Sequence, residues 1–291
     1  MKKTYRIPLL FFCPLFLLAA CDKNMSVPSY LYVDSVSLST DYSTQGTASA
    51  NVTDVWVTVN GKNLGVYELP ATIPVLASGN AKVQLQAGIK KNGVSTLRPV
   101  YPFYTSHITY VDLERKRCDT LRPAFAYTPT TTFLFKEDFE DAGIMFSSVD
   151  SSIGIQKTDD KKLRFSYPKE PNRYSGCIAL RPEDTSFEVT TNTSMKKQQT
   201  YTFLEMNYNI TENMEIGIYY HYNGRAIQTP ICGIYRTGSM GNSQWKKIYV
   251  NLTEAVNANM YVTKYEVYLK AVKSVSDSAL FLFDNIKIVN M

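Results

Sequence analysis

Apolar and polar residues alternate with period two along much of the chain, the mark of half-buried β-strands. Val55, Val57 and Val59 alternate with Trp56 and Thr58 and run into Asn60-Gly61. That pair is favoured in tight hairpins because both residues tolerate positive φ. A return strand over Leu64–Leu69 follows, and Val83, Leu85 and Ala87 then oppose Lys82, Gln84 and Gln86. Further on, KLRFSYP, CIALRP, SFEVTT, YTFLEMNYNI, EIGIYYHYNG, QWKKIYVNLTEAV, KYEVYLKAV and ALFLFDNIKIV each read as strands, with one helical turn at TEAVNA. Short strands at such spacing predict two packed sheets. Between the two regions lies YTPTTT, Tyr127 to Thr132, which predicts a linker. The expected fold class is all-β: a small N-terminal β-sandwich over 31–127, a linker at 128–132, and a C-terminal jelly-roll β-sandwich over 133–291.

The first twenty residues follow another pattern. Lys2, Lys3 and Arg6 precede the apolar run Ile7–Ala20, which contains Pro8 and Pro14. A spanning helix needs roughly 20 apolar residues, so this shorter run predicts a secretory signal over 1–20. Leu18-Ala19-Ala20-Cys21 resembles the bacterial lipobox. The resemblance implies that Cys21 becomes the first mature residue, with fatty acyl chains of the palmitate kind on its sulfur and its new amine. One acyl chain binds membrane marginally, whereas two or more anchor stably. The alternative is a plain signal peptide with a cysteine beside its cleavage site. Residues 21–30 then form a polar lipidated tether. The expected address is the cell envelope, at the outer membrane or cell surface, with the membrane as a partner through the anchor.

Removing the signal changes the charge balance. The 31 Lys and Arg lose Lys2, Lys3 and Arg6, so 28 cations face 26 Asp and Glu and the net charge falls from +5 to +2. Near neutrality leaves no nucleic-acid footprint. Cys118, Cys177 and Cys232 remain after the anchor. An odd count is no disulfide framework; isolated buried thiols are expected, with a Cys177–Cys232 pair as the alternative.

Two further resemblances come from the strand patterns. VTVNGKNLGVYELPATIPVLASGNAKVQLQAGI resembles the PEGA type of small β-sandwich, with a longer YELPATIP link than that pattern has. It implies a surface or binding appendage of PEGA-like or immunoglobulin-like form, without catalytic residues. EDFED (Glu137 to Asp141), WKKIYVNL (Trp245 to Leu252) and FLFDNIKIV (Phe281 to Val289) resemble the galactose-binding-like jelly rolls found among carbohydrate-binding modules. With the lipobox, the combination resembles surface lipoproteins of gut Bacteroidota. The motifs Asp34-Ser35-Val36, Asp119-Thr120-Leu121 and Asp277-Ser278-Ala279 match the O-glycosylation pattern of those bacteria.

Candidate chemistry is sparse. Asp138 and Glu140 are the same-face pair within the acidic run Glu137, Asp138, Glu140 and Asp141, and a glycan hydrolase would need such a pair of carboxyls. The jelly-roll resemblance instead implies a structural calcium held by Glu140 and Asp284. His107 and His221 are the only histidines, and neither Cys-x-x-Cys nor Gly-x-Ser-x-Gly occurs. Aromatic recognition remains: sugars stack C–H faces on Tyr and Trp. GIYYHYNGR and GIYRTG supply Tyr219, His221, Tyr222, Tyr235 and Arg236 as candidate ligand-binding residues, with Tyr220 and Tyr222 on one face and Tyr219 and His221 on the other. Trp245 is expected in the core. The reading is a non-catalytic, lipid-anchored protein binding a glycan through its jelly roll. The alternative is a structural or adhesion lipoprotein with an envelope-protein partner, and less favoured is a hydrolase.

Overall fold

The computed structural model describes residues 27–150, 152–168, 173–197, 200–274 and 277–291. The lipobox and Cys21 lie outside the described residues. The chain is all-β, with a small N-terminal sandwich followed by a jelly roll.

The N-terminal part holds β1 (Ser29–Val33), β2 (Ser37–Ser39), helix α1 (Tyr42–Gln45), β3 (Asp54–Val59), β4 (Lys62–Glu68), β5 (Ala71–Val75), β6 (Gly79–Gly88), β7 (His107–Leu113), β8 (Cys118–Leu121) and β9 (Ala124–Ala126). One sheet runs β5-β1-β8 and the other β4-β3-β6-β7, while β2 and β9 pair separately. The β3–β4 turn is Asn60-Gly61, at φ 49° and 80°. Both central residues are therefore left-handed, as the twist of a two-residue hairpin demands. Val55, Val57, Val59, Val83 and Leu85 face Leu31, Val33, Ile73 and Val75 in one core.

The jelly roll comprises β10 (Thr132–Glu137), β11 (Phe146–Ser148), β12 (Gln156–Thr158), β13 (Ser175–Leu180), β14 (Ser186–Thr191), β15 (Met195–Lys196), β16 (Thr202–Ile210), β17 (Met214–Tyr222), β18 (Arg225–Ile234), β19 (Lys246–Asn251), helix α2 (Thr253–Asn257), β20 (Lys264–Val272) and β21 (Ala279–Asn290). The first sheet runs β12-β13-β21-β16-β19, and the second β11-β14-β20-β17-β18. Strands β13 and β10 share one edge of β21: β13 pairs with Ala279–Phe283 and β10 with Ile286–Asn290. At the change of partner sits Asn285, with φ 50°, and β16 shifts register against β21 at the same place.

Two strand expectations change here. KLRFSYP is not a strand; a turn at Asp160–Arg164 opens it. RAIQTPICGI, not among the expected strands, is β18, an edge strand, where a proline such as Pro230 is tolerated. The isolated-thiol expectation holds against the Cys177–Cys232 alternative: all three cysteines are free, Cys118 is exposed rather than buried, and burial pushes both Cys177 and Cys232 up to about 11.

The two sandwiches meet on a third core. The outer face of the first jelly-roll sheet offers Phe203, Tyr249 and Val289, and the N-terminal part covers them with Tyr101, Phe103, Tyr104, Phe125 and Tyr127. The Tyr101 ring stands edge-on to Phe203 at 5.5 Å and tilted against Tyr249 at 4.7 Å. Inside this aromatic layer is Glu205, fully buried. It accepts hydrogen bonds from the Tyr101 hydroxyl at 2.7 Å and the Tyr127 hydroxyl at 2.9 Å, and ion-pairs with Lys247 at 2.9 Å. Lys287, 2% exposed, donates to the Thr47 carbonyl at 2.7 Å. At Thr128–Thr131 the chain is held by Thr128 N–H to Phe103 O and Thr131 N–H to Thr128 O.

Candidate functional site

The second jelly-roll sheet buries one face and shows the other to solvent. Along β17, Met214, Ile216, Ile218 and Tyr220 point into the core, so Glu215, Gly217, Tyr219 and His221 point out. Register places Tyr219 opposite Gln228 of β18 and Glu266 of β20, and Gly217 opposite Tyr268. The absent side chain at Gly217 lets the Tyr268 ring lie flat across β17, where a Cβ would collide with it. Tyr268 is thereby fully buried although it sits on the outer face. Its hydroxyl donates to Glu215 at 2.6 Å.

Glu188 of β14 organises the middle of this face. It accepts hydrogen bonds from the Tyr219 hydroxyl and from Gln228 Nε2 at 2.9 Å, and ion-pairs with Lys270 at 3.0 Å. Burial, then the Glu188 hydrogen bond and charge, push the Tyr219 phenol upward. Toward the β17–β18 turn, His221 lies 3.7 Å from Glu266, which also accepts from the Ser194 hydroxyl. At that end Tyr222 (36% exposed) and Tyr261 (72%) hold their rings 6.3 Å apart at 37°, next to the exposed Met260. The result is a polar face with fixed donors and acceptors, and open aromatic rings lie beyond its β17–β18 end.

The five candidate ligand residues do not form one group. Tyr219 and His221 share the outer face, and Tyr222, the last residue of β17, points to the opposite side at the strand's end. Tyr235, 81% exposed, and Arg236 follow the far end of β18. Ile234 pairs with Met214, eight residues along β17 from Tyr222. At a strand rise of ~3.3 Å per residue that is about 26 Å, so Tyr235 and Arg236 belong to the opposite end. Tyr261, Glu188, Gln228 and Glu266 were missed. Only the cross-strand register of β14, β20, β17 and β18 brings Glu188, Gln228 and Glu266 beside Tyr219, and no spacing along the sequence encodes that.

The acidic run takes structural partners. Glu137 accepts from the backbone N–H of Phe139 (2.7 Å) and Met145 (2.5 Å). Asp138 accepts the Tyr42 hydroxyl at 2.6 Å. Glu140 accepts the N–H groups of Arg173 and Tyr174 at 2.6 and 3.0 Å. Asp284 accepts from the Ser175 hydroxyl at 2.5 Å and from the Asn285 N–H at 2.7 Å. Burial, with the charges of Asp138 and Glu140 adding to it, pushes the Asp284 carboxyl well above its usual range. Among the described residues no three His, Cys, Asp or Glu side chains are grouped as metal ligands. One feature does fit a hard cation: a cavity of about 330 Å³ lined by Glu137, Asp138, Glu140, Asp141 and Asn285. Asn285 is 2% exposed, and neither atom of its amide has a partner among the described residues. Lys136 and Lys287 also line the cavity, donating to the carbonyls of Ser43 and Thr47.

Trp245 is not in the core. It is half-buried, edge-on to Phe165 at 5.3 Å, with its indole N–H donating to the Leu163 carbonyl at 3.2 Å.

No family model and no curated protein matches the chain. Among solved structures, the carbohydrate-binding module TmCBM61 in complex with β-1,4-galactotriose is similar at TM-score 0.31 and 12% identity, over 50% of this chain and 87% of that one. A family 11 carbohydrate-binding module from Clostridium thermocellum, in complex with a β-1,3-1,4-mixed-linked tetrasaccharide, gives 0.34 and 12%, over 54% and 94%. The enzymatically active domain of tailspike protein 4 from bacteriophage CBA120 gives 0.39 and 9%, over 60% and 26%. Similarity this weak assigns no family.

Proposed function

We propose that this chain is a non-catalytic, lipid-anchored protein of the cell envelope that binds a glycan through the outer face of its second jelly-roll sheet. The observation that carries the reading is the pre-fixed Tyr219–Glu188–Gln228 face, with the solvent-facing Tyr222–Tyr261 pair beyond its β17–β18 end. Exposed tyrosine rings supply stacking surface, and side chains pre-fixed by hydrogen bonds read hydroxyl groups without a further ordering cost. The acidic residues that a hydrolase would use are engaged with backbone N–H groups or with Tyr42, which supports a binding role. Cys21 is the proposed acylated residue, and the outer membrane or cell surface the proposed location. A glycan array probed with the mature chain tests the glycan reading: binding that is lost in a Tyr222→Ala/Tyr261→Ala double variant supports it. Absence of any glycan binding, or binding unchanged in the variant, removes it.

A second reading concerns calcium, and the unpartnered Asn285 amide favours it. Glu140, Asp284 and the Asn285 amide oxygen are the proposed ligands, and the ion would neutralise the acidic cluster there. Thermal melts with calcium and with EDTA test this reading.

A further inference from the structure

A cavity of about 670 Å³ lies between the two sandwiches. That is within the range of about 300–1,000 Å³ typical of small-molecule sites. Its floor is the outer face of the first jelly-roll sheet, at Asn207, Lys247 and Tyr249. Ser49–Asn51, Lys90 and Gly93 of the N-terminal sandwich form one wall. The loop Phe165–Tyr167 and Trp245 form the other.

The walls are tied to the floor. The Ser49 hydroxyl donates to Asn207 Oδ1 at 3.0 Å. Asn51 donates through its side chain to the Lys247 carbonyl at 3.1 Å and through its backbone N–H to the Tyr249 hydroxyl at 2.9 Å. The Tyr167 hydroxyl reaches across to the Ala48 carbonyl at 3.1 Å. The space is thus spanned by cross-sandwich bonds and is preformed.

Among the described residues its lining combines aromatic and cationic groups and contains no carboxylate. Phe165 and Tyr167 stack at 13° with ring centroids 6.4 Å apart, and Trp245 meets Phe165 edge-on. Three lysines line the cavity: Lys90, Lys246 and Lys247. Lys247 is already neutralised by Glu205. Lys90 pairs at 3.3 Å with Glu68, itself half exposed, and water and salt weaken such a contact. Lys246 is exposed and has no ion-pair partner among the described residues. An entering anion therefore meets two available ammonium groups beside an aromatic wall. Stacking selects a ring with an apolar C–H face, and the lysines select a negative charge on it.

We propose that this cavity is a second ligand site, for a carboxylate-bearing saccharide residue, with Trp245 as its stacking surface and Lys90 and Lys246 as its anion partners. The site uses other strands than the outer-face glycan site and stands without it.

The probe is oligogalacturonate, compared with the fully methyl-esterified oligomer, which keeps the sugar and removes the charge. Calorimetry on the intact mature chain is expected to show the acid binding about tenfold or more tighter than the ester, a difference of about 1.4 kcal/mol. Lys246→Ala, on an exposed side chain, should weaken the acid severalfold, flatten its salt dependence and leave ester binding unchanged. Trp245→Ala should weaken both. Tyr222→Ala/Tyr261→Ala should change neither, which separates this site from the outer face. No binding of the acid, equal binding of acid and ester, or an acid affinity indifferent to Lys246→Ala would each overturn the proposal. Should Trp245→Ala fail to fold, the Lys246→Ala comparison decides alone.

Discussion

Glu205 and Lys247 form an ion pair at 2.9 Å with side chains 0% and 2% exposed, roofed by tyrosines from the other sandwich. Breaking a buried pair by removing one charge strands the other in a medium that cannot solvate it. Glu205→Gln should cost about 3–5 kcal/mol, read as a lower urea midpoint at neutral pH. A loss below about 1 kcal/mol would show that water reaches the junction.

The same residue sets a pH dependence. Burial raises the Glu205 carboxyl, but the charges of Lys247 and Lys287 and the Tyr101 hydrogen bond outweigh it and hold the group below its usual value. A depressed folded-state value contributes stability that is present above the unfolded value of about 4.3. That contribution is lost as pH falls through the folded value. Urea midpoints at pH 7 and pH 3 should therefore differ more for the native chain than for Glu205→Gln. Equal differences would contradict the assignment.

Gly217 is required by its neighbour across the sheet. Any Cβ there collides with the Tyr268 ring, which must lift and expose what it covers. Gly217→Val should destabilise by about 1–3 kcal/mol, visible in the denaturation midpoint. It should also weaken glycan binding at the outer face, because the displaced ring lies in contact with Tyr219, 5.2 Å away.

Tyr222 and Tyr261 invert that balance. Both are exposed, so alanine at either should leave stability within about 0.5 kcal/mol. Glycan affinity should fall roughly tenfold, the equivalent of about 1.4 kcal/mol. Unchanged affinity with unchanged stability would move the glycan site elsewhere.

Calcium binding to the folded state alone would add about 2.7 kcal/mol at a hundredfold excess over Kd. The chain should therefore melt lower in EDTA than in calcium, and Asn285→Ala should shrink the gap. Coincident melts would remove calcium from the acidic end.

Much of the architecture is legible in the residues. The alternation at Val55–Val59 and the Asn60-Gly61 turn are local effects, since side-chain period and permitted φ belong to a few neighbouring residues. The strands β16, β17, β20 and β21 carry their pattern in the same way. KLRFSYP shares that alternation without finding a ladder partner, so it stays a loop. RAIQTPICGI lacks the pattern yet is a strand, because β17 offers it an edge.

The candidate site was legible only in part. Tyr219 and His221 share an outward face, as their spacing requires. That Tyr235 and Arg236 sit at the opposite end follows from the antiparallel return of β18. Glu188, Gln228 and Glu266 join Tyr219 only through pairing across strands far apart in sequence.

By itself, the sequence determined what short-range physics can specify: an all-β chain, the turn at Asn60-Gly61, and which residues alternate along each strand. Tertiary structure alone decided which of two alternating faces is buried. It turned Trp245 and Phe165 from expected strand residues into the wall of a cavity, and it enclosed Glu205 among tyrosines of the other sandwich. The reason is that a strand's two faces are locally equivalent. Only the register of distant partners, and the packing of one sheet on another, removes water from one of them.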